Sequence, residues 1–148
     1  LGYVNYEFSS FAKPGYECKN NVTYWNRGKY IGFGPSAHSF DGVKRKWNIS
    51  NNQKYIEKIK LNSIAYESEI LSETDILNEI IMIGLRTSEG LDLDLIESKF
   101  SNLNLEKLIQ QIQLKIMDGV LVKTDNKLHP SRDYKFLTDG IASDLFIT

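Results

Sequence analysis

The fold of this chain is decided by residues 72–91, which read SETDILNEIIMIGLRTSEGL. Apolar residues and a glycine recur there at helical spacing, at Ile76, Leu77, Ile80, Ile81 and Gly84. This spacing predicts an amphipathic helix with one buried stripe. Ser72 comes just before the stripe, where its hydroxyl can accept from the first free N–H groups of a helix. We therefore expect a helical domain to begin near residue 73.

The residues that follow predict two more helices and a hairpin. Apolar spacing indicates a short second helix over 93–100 and a third over 105–116, which Gly119 closes as a C′ glycine. Strands on either side of Asp125-Asn126 form a plausible hairpin. Thr138 is expected to cap a last helix. Three helices followed by a hairpin is the order of a winged helix.

The front half of the chain reads as strands and loops. Alternating aromatic and polar residues over 3–11 predict a strand, which Lys13-Pro14-Gly15 ends. A second strand is expected over 29–34, followed by an irregular stretch over 35–48. A helix is expected over 53–60.

Composition places the chain among ordinary globular proteins. It has 148 residues, of which 41% are hydrophobic and 25% are charged. No apolar run approaches the roughly 18 residues of a membrane span. The single cysteine, Cys18, excludes an internal disulfide and a multi-cysteine metal site, and it fits a reducing cytosol. The chain opens at Leu1 without a methionine, so we expect a fragment of a longer protein.

Charge differs between the two halves. Residues 1–72 carry ten Lys and Arg against six Asp and Glu, a net of +4, and residues 73–148 carry eight against thirteen, a net of −5. Such asymmetry suggests two units with different partners. A net of −5 opposes nucleic-acid binding by the predicted winged helix, so a packing or docking domain is the better interpretation.

The glycine-rich stretch 32–37 allows several interpretations. It matches G-x-G-x-x-A, but a dinucleotide fingerprint needs a helix directly after the glycines, and Pro35 argues against one. The glycines fit either a crowded strand or an edge that a ligand approaches closely.

His38 comes directly after the glycine-rich stretch and can be a structural imidazole, a ligand contact or a proton carrier. His129 is expected to be exposed, and two distant histidines with one cysteine do not make a zinc site.

An aromatic cluster surrounds Tyr24-Trp25, with Tyr16, Tyr30 and Phe33 near basic residues. Core packing beneath snorkelling cations is the default explanation for such a cluster. The alternatives are a platform for a flat anionic ligand and an RNA-binding surface, although no recognised RNA motif is present.

Several segments together resemble one protein family in order and spacing. Residues 6–15 resemble its YEISNFA-(R/K)-PG strand and turn, residues 20–25 its HNxxYW motif, and residues 30–40 its YLGxGxxAHSF strand, which Trp47-Asn48 follow. Residues 85–91 resemble its GLRTxxGL turn, and residues 137–146 its closing helix. The family is the oxygen-independent coproporphyrinogen III oxidase-like group of radical S-adenosylmethionine (SAM) proteins. The motifs are most similar to its heme-chaperone (HemW-type) branch.

The resemblance implies an α+β fold at the C-terminal end of a larger protein. Residues 1–50 would supply the last strands and loops of a partial (β/α) radical-SAM barrel. Residues 51–72 would form a connecting helix and linker, and residues 73–148 a winged-helix-like domain. A CxxxCxxC motif upstream would hold the [4Fe–4S] cluster that binds SAM. Cys18 cannot replace that motif, so the fragment alone is expected to be inactive and to contain no catalytic residue and no metal site.

The resemblance also implies the site residues. Those on the SAM side would be Gly32, Gly34, Ser36, Ala37 and His38. Those facing heme or another tetrapyrrole would be Asn21, Tyr24 and Trp25. The motif's histidine is replaced here by Asn20, and an asparagine amide is a poor iron ligand beside imidazole.

The function expected from the resemblance is heme binding and delivery in the cytoplasm. The partners would be heme or a porphyrin, the N-terminal barrel of the same protein, and a heme acceptor that the sequence does not identify. Two alternatives stay open. One is an oxygen-independent coproporphyrinogen III oxidase, and the other is a winged-helix module that binds nucleic acid.

Overall fold

The computed structural model describes residues 1–101, 103 and 105–148. The strands are β1 Val4–Asn5, β2 Phe11–Ala12, β3 His38–Phe40, β4 Lys44–Asn48, β5 Tyr66–Ile70, β6 Leu91–Asp92, β7 Leu121–Thr124 and β8 Lys127–Pro130. The α-helices are α1 Lys19–Trp25, α2 Asn52–Lys60, α3 Glu73–Arg86, α4 Leu93–Lys99, α5 Glu106–Met117 and α6 Thr138–Asp144, and a 3₁₀ helix spans Arg132–Leu137.

Two compact units divide the chain. The helical unit joins residues 1–18 to residues 72–148, and the sheet unit is residues 19–71. The sheet unit has nine Lys and Arg against four Asp and Glu, a net of +5. The helical unit has nine against fifteen, a net of −6. The opposite charges of the two units therefore match the asymmetry expected from the sequence.

Helix α3 organises the core of the helical unit. Its start is confirmed: the Ser72 hydroxyl accepts from the Asp75 N–H at 3.1 Å, and the Asp75 carboxylate accepts from the Ser72 N–H at 3.0 Å. This reciprocal pair is a capping box. The core residues that are buried to 1% exposure or less are Leu77, Ile81, Leu91, Leu108, Leu121, Leu128, Ala142 and Leu145.

A three-stranded antiparallel sheet with the order β6-β8-β7 closes the helical unit. The predicted hairpin of β7 and β8 is confirmed, with Lys123 paired to Leu128. Gly119 ends α5 with φ +69°, as expected for a C′ glycine. Strand β6, which pairs Leu91 with Leu128, was not expected, because two residues are too few to show a strand periodicity.

The first residues form a hairpin, so the expected continuous strand over 3–11 is wrong. Strands β1 and β2 pair Val4 with Ala12, and the chain reverses between them. The buried Glu7 fixes that reversal, because its carboxylate accepts from the N–H of Ser9 at 3.3 Å and from its hydroxyl at 3.2 Å. The hairpin belongs to the helical unit, whereas the sequence placed residues 1–50 in one segment.

The sheet unit is built on the antiparallel order β3-β4-β5. The expectation of irregular structure over 35–48 is wrong, because β3 and β4 lie there. They pair across a turn in which the Asp41 carboxylate accepts from the Val43 and Lys44 N–H groups at 3.1 and 2.8 Å. The strand expected over 29–34 is also absent from the described structure, and Tyr30 makes an isolated bridge to Phe40 instead. Helix α2 is confirmed.

Thr138 does not cap α6 as expected. It is buried and is the first residue of that helix, and its hydroxyl donates to the Lys135 carbonyl oxygen at 2.5 Å. The reason is that the 3₁₀ helix runs directly into α6, so Thr138 already has helical backbone angles, φ −51° and ψ −41°, and Leu137 takes the N-cap position. The hydroxyl therefore stabilises the joint between two helices.

Candidate functional site

The centre of the candidate site is the turn formed by residues 34–37 in the sheet unit. Gly34 has φ +95° and Ser36 has φ +61°, so both lie in the left-handed region. Apart from Gly34 itself and its two chain neighbours, no heavy atom of the described residues lies within 4 Å of the position that a Cβ on Gly34 would take, so that side of the turn is open. A non-glycine residue in this region costs about 1–2 kcal/mol, so Ser36 needs surrounding contacts to keep its conformation.

The end of β4 and the residue after it hold this turn. The Asn48 side-chain amide donates to the Gly34 carbonyl oxygen at 2.8 Å, and the Asn48 backbone N–H donates to the Ala37 carbonyl oxygen at 2.9 Å. The Ser36 N–H donates to the carbonyl oxygen of Ile49 at 3.4 Å. The turn is thus fastened to the neighbouring strand on both sides of its strained residue.

Beside the turn lies a cavity of about 380 Å³. Its lining residues are Ser36, His38, Trp47, Asn48, Ile49, Ser50 and Glu67. This volume falls within the range of small-molecule pockets, about 300–1,000 Å³. Two of the residues expected on the SAM side, Ser36 and His38, come together there. Trp47, Asn48 and Glu67 were missed as site residues, and Trp47-Asn48 in the resemblance was the signal that could have identified two of them.

The cavity presents two flat rings and a carboxylate. His38 and Trp47 pair across β3 and β4, with ring centroids 6.4 Å apart and ring planes 33° from parallel. The Trp47 indole N–H donates to the Glu67 carboxylate at 3.1 Å, which fixes the orientation of the indole. Such a set of groups suits a ligand with a flat ring and an N–H donor or a positive charge.

Gly32 has a different role from Gly34. A Cβ on Gly32 would lie 2.2 Å from the His38 carbonyl oxygen and 2.9 Å from the Ala37 Cβ. The Gly32 N–H donates to the Ser39 hydroxyl at 3.0 Å. Gly32 is therefore crowded, as one of the two interpretations expected, but by the backbone of His38 and not within a strand.

The aromatic cluster is connected to the same strand. The Tyr24 ring packs edge-on against Tyr30 at 4.7 Å, and Tyr30 lies 6.2 Å from Phe40 of β3. The Arg27 guanidinium lies 5.3 Å from the centre of the Phe40 ring. Burial, and secondarily the charge of Arg45, lower the pKa of Arg27. Tyr24 and Tyr30 thus pack in a row against the buried Phe40 ring. Tyr16 and Phe33 are 81% and 87% exposed, so the core packing expected for the whole cluster is wrong for these two residues.

The three residues expected to face a tetrapyrrole share helix α1. Asn21 and Trp25 are half-buried, and Tyr24 is 43% exposed. Asn20, at the histidine position of the motif, is exposed on the same helix. The structure therefore places these residues on one short surface helix.

The other two motif segments contact each other in the helical unit. The Ser88 hydroxyl and N–H both donate to the Tyr6 carbonyl oxygen at 3.1 Å. The Arg86 guanidinium lies 5.3 Å from the centre of the Phe8 ring and pairs with Asp139 at 2.9 Å. We interpret both motifs as structural, because each fastens the first hairpin to the end of α3.

Two features are absent from the described residues. No group of three or more His, Cys, Asp or Glu side chains there could hold a metal ion. Within the same part of the chain, no helix combines the length and the apolar character needed to cross a membrane.

The sequence of this chain is similar to one family model and to several known proteins. Residues 71–133 match the family model described as the HemN C-terminal domain. The chain is 30% identical over 143 residues to the heme chaperone HemW of Bacillus subtilis, covering 95% of this chain and 37% of that protein. It is 32% identical over 129 residues to the heme chaperone HemW of Lactococcus lactis, covering 86% of this chain and 34% of that protein.

A solved structure has the same fold. The radical SAM enzyme coproporphyrinogen III oxidase (HemN) of Escherichia coli matches 98% of this chain and 37% of its own length, with a TM-score of 0.75 at 17% identity. The chain belongs to the HemW- and HemN-like family of radical SAM proteins, as the resemblance predicted. It spans little more than a third of the length of the curated relatives it matches.

Proposed function

We propose that these residues form the C-terminal region of a radical-SAM heme chaperone. In this proposal Gly34, Ser36, Ala37 and His38 lie on the SAM side, Gly32 allows the backbone of His38 to pack closely beside them, and α1 faces heme. The observation that carries the proposal is the strained turn at 34–37, which opens beside a cavity lined by Ser36 and His38. Strain of this kind clusters at ligand sites, where other contacts hold it.

The cavity fits parts of SAM. Its adenine ring is flat and carries an exocyclic amine, and its amino and sulfonium groups are cationic. Trp47 and His38 offer flat faces, and Glu67 offers a carboxylate to a donor or a cation. SAM supplies radical chemistry when it is bound to a [4Fe–4S] cluster. A three-thiolate cluster does not fit a chain with one cysteine, so we assign the cluster ligands to another part of the full-length protein.

For the heme side we propose the surface of α1. Tyr24 and Trp25 supply aromatic area, and the nearby Arg27 would complement the negative charge of a porphyrin carboxylate. Axial ligation from Asn20 does not fit, because an amide binds iron poorly beside imidazole. Tyr24 or Trp25 on α1, or else His38 if it faces heme instead of SAM, would then have to carry the heme contact.

The architecture that we propose is the end of a (β/α) barrel followed by a winged-helix-like domain over 73–148. Residues 1–18 pack in the helical unit, and β5 of the expected linker 51–72 pairs with β4, so we assign the barrel end to the sheet unit, residues 19–71. Apolar side chains of the sheet unit support packing against further polypeptide, since Ile31, Phe33 and Ile70 are 75%, 87% and 74% exposed. The helix order and the β6-β8-β7 sheet support the winged-helix interpretation. We propose a cytoplasmic protein that delivers heme to an unidentified acceptor.

Heme and SAM titrations of the reconstituted full-length protein test the function. We expect a shifted Soret band on adding heme, and weaker binding in the double variant Tyr24→Ala with His38→Ala. The matched control is Tyr16→Ala with His129→Ala, since Tyr16 is exposed and His129 belongs to the helical unit. Heme spectra that are unchanged in the first double variant remove these residues from the heme site, and a protein that binds neither ligand refutes the proposed function.

The fold shared with coproporphyrinogen III oxidase keeps one alternative open, which is oxidative decarboxylation of coproporphyrinogen. Conversion of coproporphyrinogen to protoporphyrinogen by the reconstituted protein would establish it, and a lack of turnover would dismiss it. Nucleic-acid binding by the helical unit is opposed by its net charge of −6. A gel shift at low salt tests that interpretation.

A further inference from the structure

The Asn48 side chain is the contact that the strained turn depends on most. It donates to the Gly34 carbonyl oxygen at 2.8 Å, whereas the bond from the Ser36 N–H to Ile49 is 3.4 Å long. Within the turn, the Ala37 N–H reaches the Gly34 carbonyl oxygen at 3.3 Å. The side-chain bond is therefore the shortest that fixes the position of Gly34.

Asn48 holds both ends of the turn at once. Its side-chain amide binds residue 34 and its backbone N–H binds residue 37, and Ser36 with φ +61° lies between these two points. If the side-chain bond is lost, Ser36 can relax out of the left-handed region, because only the longer bonds of 3.3 and 3.4 Å then hold the Gly34 end of the turn.

Asn48 also lines the cavity next to Ser36 and His38. A relaxed turn would move the backbone of residues 34–37 and with it the wall of the cavity. Ligand binding depends on such preorganisation, since ordering a loop at the moment of binding lowers affinity.

From these contacts we propose that Asn48 is the positioning residue of the SAM-side turn, which it holds in its ligand-ready conformation through the Gly34 carbonyl oxygen. The proposal rests on the proposed function, because SAM is the ligand whose affinity it concerns. Asn48 acts through Gly34 and Ser36, and no contact between its side chain and SAM is needed.

The test is the substitution Asn48→Asp in the reconstituted full-length protein, with SAM affinity measured by equilibrium dialysis. The new side chain has nearly the same shape, but its carboxylate cannot donate to the Gly34 carbonyl oxygen. We expect SAM to bind at least about tenfold more weakly at neutral pH, because one ordinary hydrogen bond is lost and two acceptor oxygens face each other. Asn52→Asp, an exposed position at the start of α2, is the matched control and should bind like the wild type.

Acid pH separates positioning from a general structural role. A carboxyl held against an acceptor oxygen has a raised pKa, and in its protonated form it donates an O–H. As the pH falls from about 8 to about 5, the ratio of variant to wild-type affinity should return toward one. Hydrogen exchange at neutral pH should be faster in peptides spanning 34–49, while the control variant exchanges like the wild type.

Each outcome decides the proposal. Wild-type protein that binds no SAM refutes the proposed function and this inference together. Wild-type protein that binds SAM, with equal affinity in Asn48→Asp, overturns the inference alone. Weaker binding without recovery at acid pH also overturns it, because the missing donor is then not the cause.

Discussion

Gly32 provides the sharpest test of how the sheet unit is packed. In Gly32→Ala the new Cβ would lie 2.2 Å from the His38 carbonyl oxygen, whereas ordinary contact begins at 3.4 Å. The two segments must then separate by about 1.2 Å, and the obstacle is backbone, which cannot rotate away as a flexible side chain would.

The cost follows from the bonds on either side of Gly32. Tyr30 and Phe40 exchange two backbone bonds of 2.9 Å, and the Gly32 N–H donates to the Ser39 hydroxyl at 3.0 Å. Separation of the segments weakens all three bonds, and each contributes about 0.5–1.5 kcal/mol. Together with the overpacking itself, we expect a loss of about 2 kcal/mol in the free energy of unfolding.

Tryptophan fluorescence during urea unfolding measures this loss of stability in the sheet unit. Both tryptophans of the chain, Trp25 and Trp47, lie in the sheet unit. At an m-value of about 1 kcal/mol per M, the midpoint should fall by about 2 M urea. The control Gly140→Ala adds a Cβ in α6 that, beyond the local helix backbone, meets no atom of the described residues within 4 Å, and it should leave the tryptophan transition unchanged. An unchanged midpoint in Gly32→Ala would refute the close approach of residues 32 and 38.

Three further predictions concern single contacts. Ser72→Ala should lower stability by about 1 kcal/mol through loss of the cap of α3, and thermal unfolding followed by far-UV circular dichroism measures it. Asn78→Ala should cost about 2 kcal/mol, because its side chain exchanges bonds of 2.9 and 3.0 Å with Ile147; unchanged hydrogen exchange at the C terminus would contradict this. Backbone N–H groups, that of Lys44 first, lower the pKa of Asp41. Its stabilising effect is therefore complete above the ordinary carboxyl pKa and is lost as pH falls through the lower folded value, which an NMR titration of Asp41 against Asp41→Asn detects.

The helical unit was largely predictable because its signals are local. Ser72, the apolar stripe of α3 and Gly119 each act within a few residues of themselves, so spacing alone located helix starts and ends. The hairpin around Asp125-Asn126 is equally local, with Asp125 at φ +53°. The 3₁₀ helix before Thr138 was missed, since nothing in the spacing of 132–137 distinguishes it from a loop.

The sheet unit was predictable only in part, because its strands are defined by distant partners. Strand β4 pairs with β5, which follows it in the sequence only after α2. In the sequence alone, its residues Lys44, Arg45 and Lys46 look like a solvated run of charges and not like a central strand. In the sheet their charges are partly compensated, for example by Glu69 opposite Arg45 at 3.4 Å. Cross-strand compensation of this kind has no periodicity that a single segment can reveal.

The same limit applies to the candidate site, and it explains why Gly32 and Gly34 could not be distinguished in advance. One glycine is required by crowding from His38 and the other by a positive φ, but both look alike in a motif. The residue that holds the turn, Asn48, lies fourteen positions from Gly34 and becomes its neighbour only through the β3–β4 hairpin. A ligand site at this turn therefore depends on strand pairing as much as on the glycine motif, so a change that unpairs β4 should abolish it even if residues 32–38 are untouched.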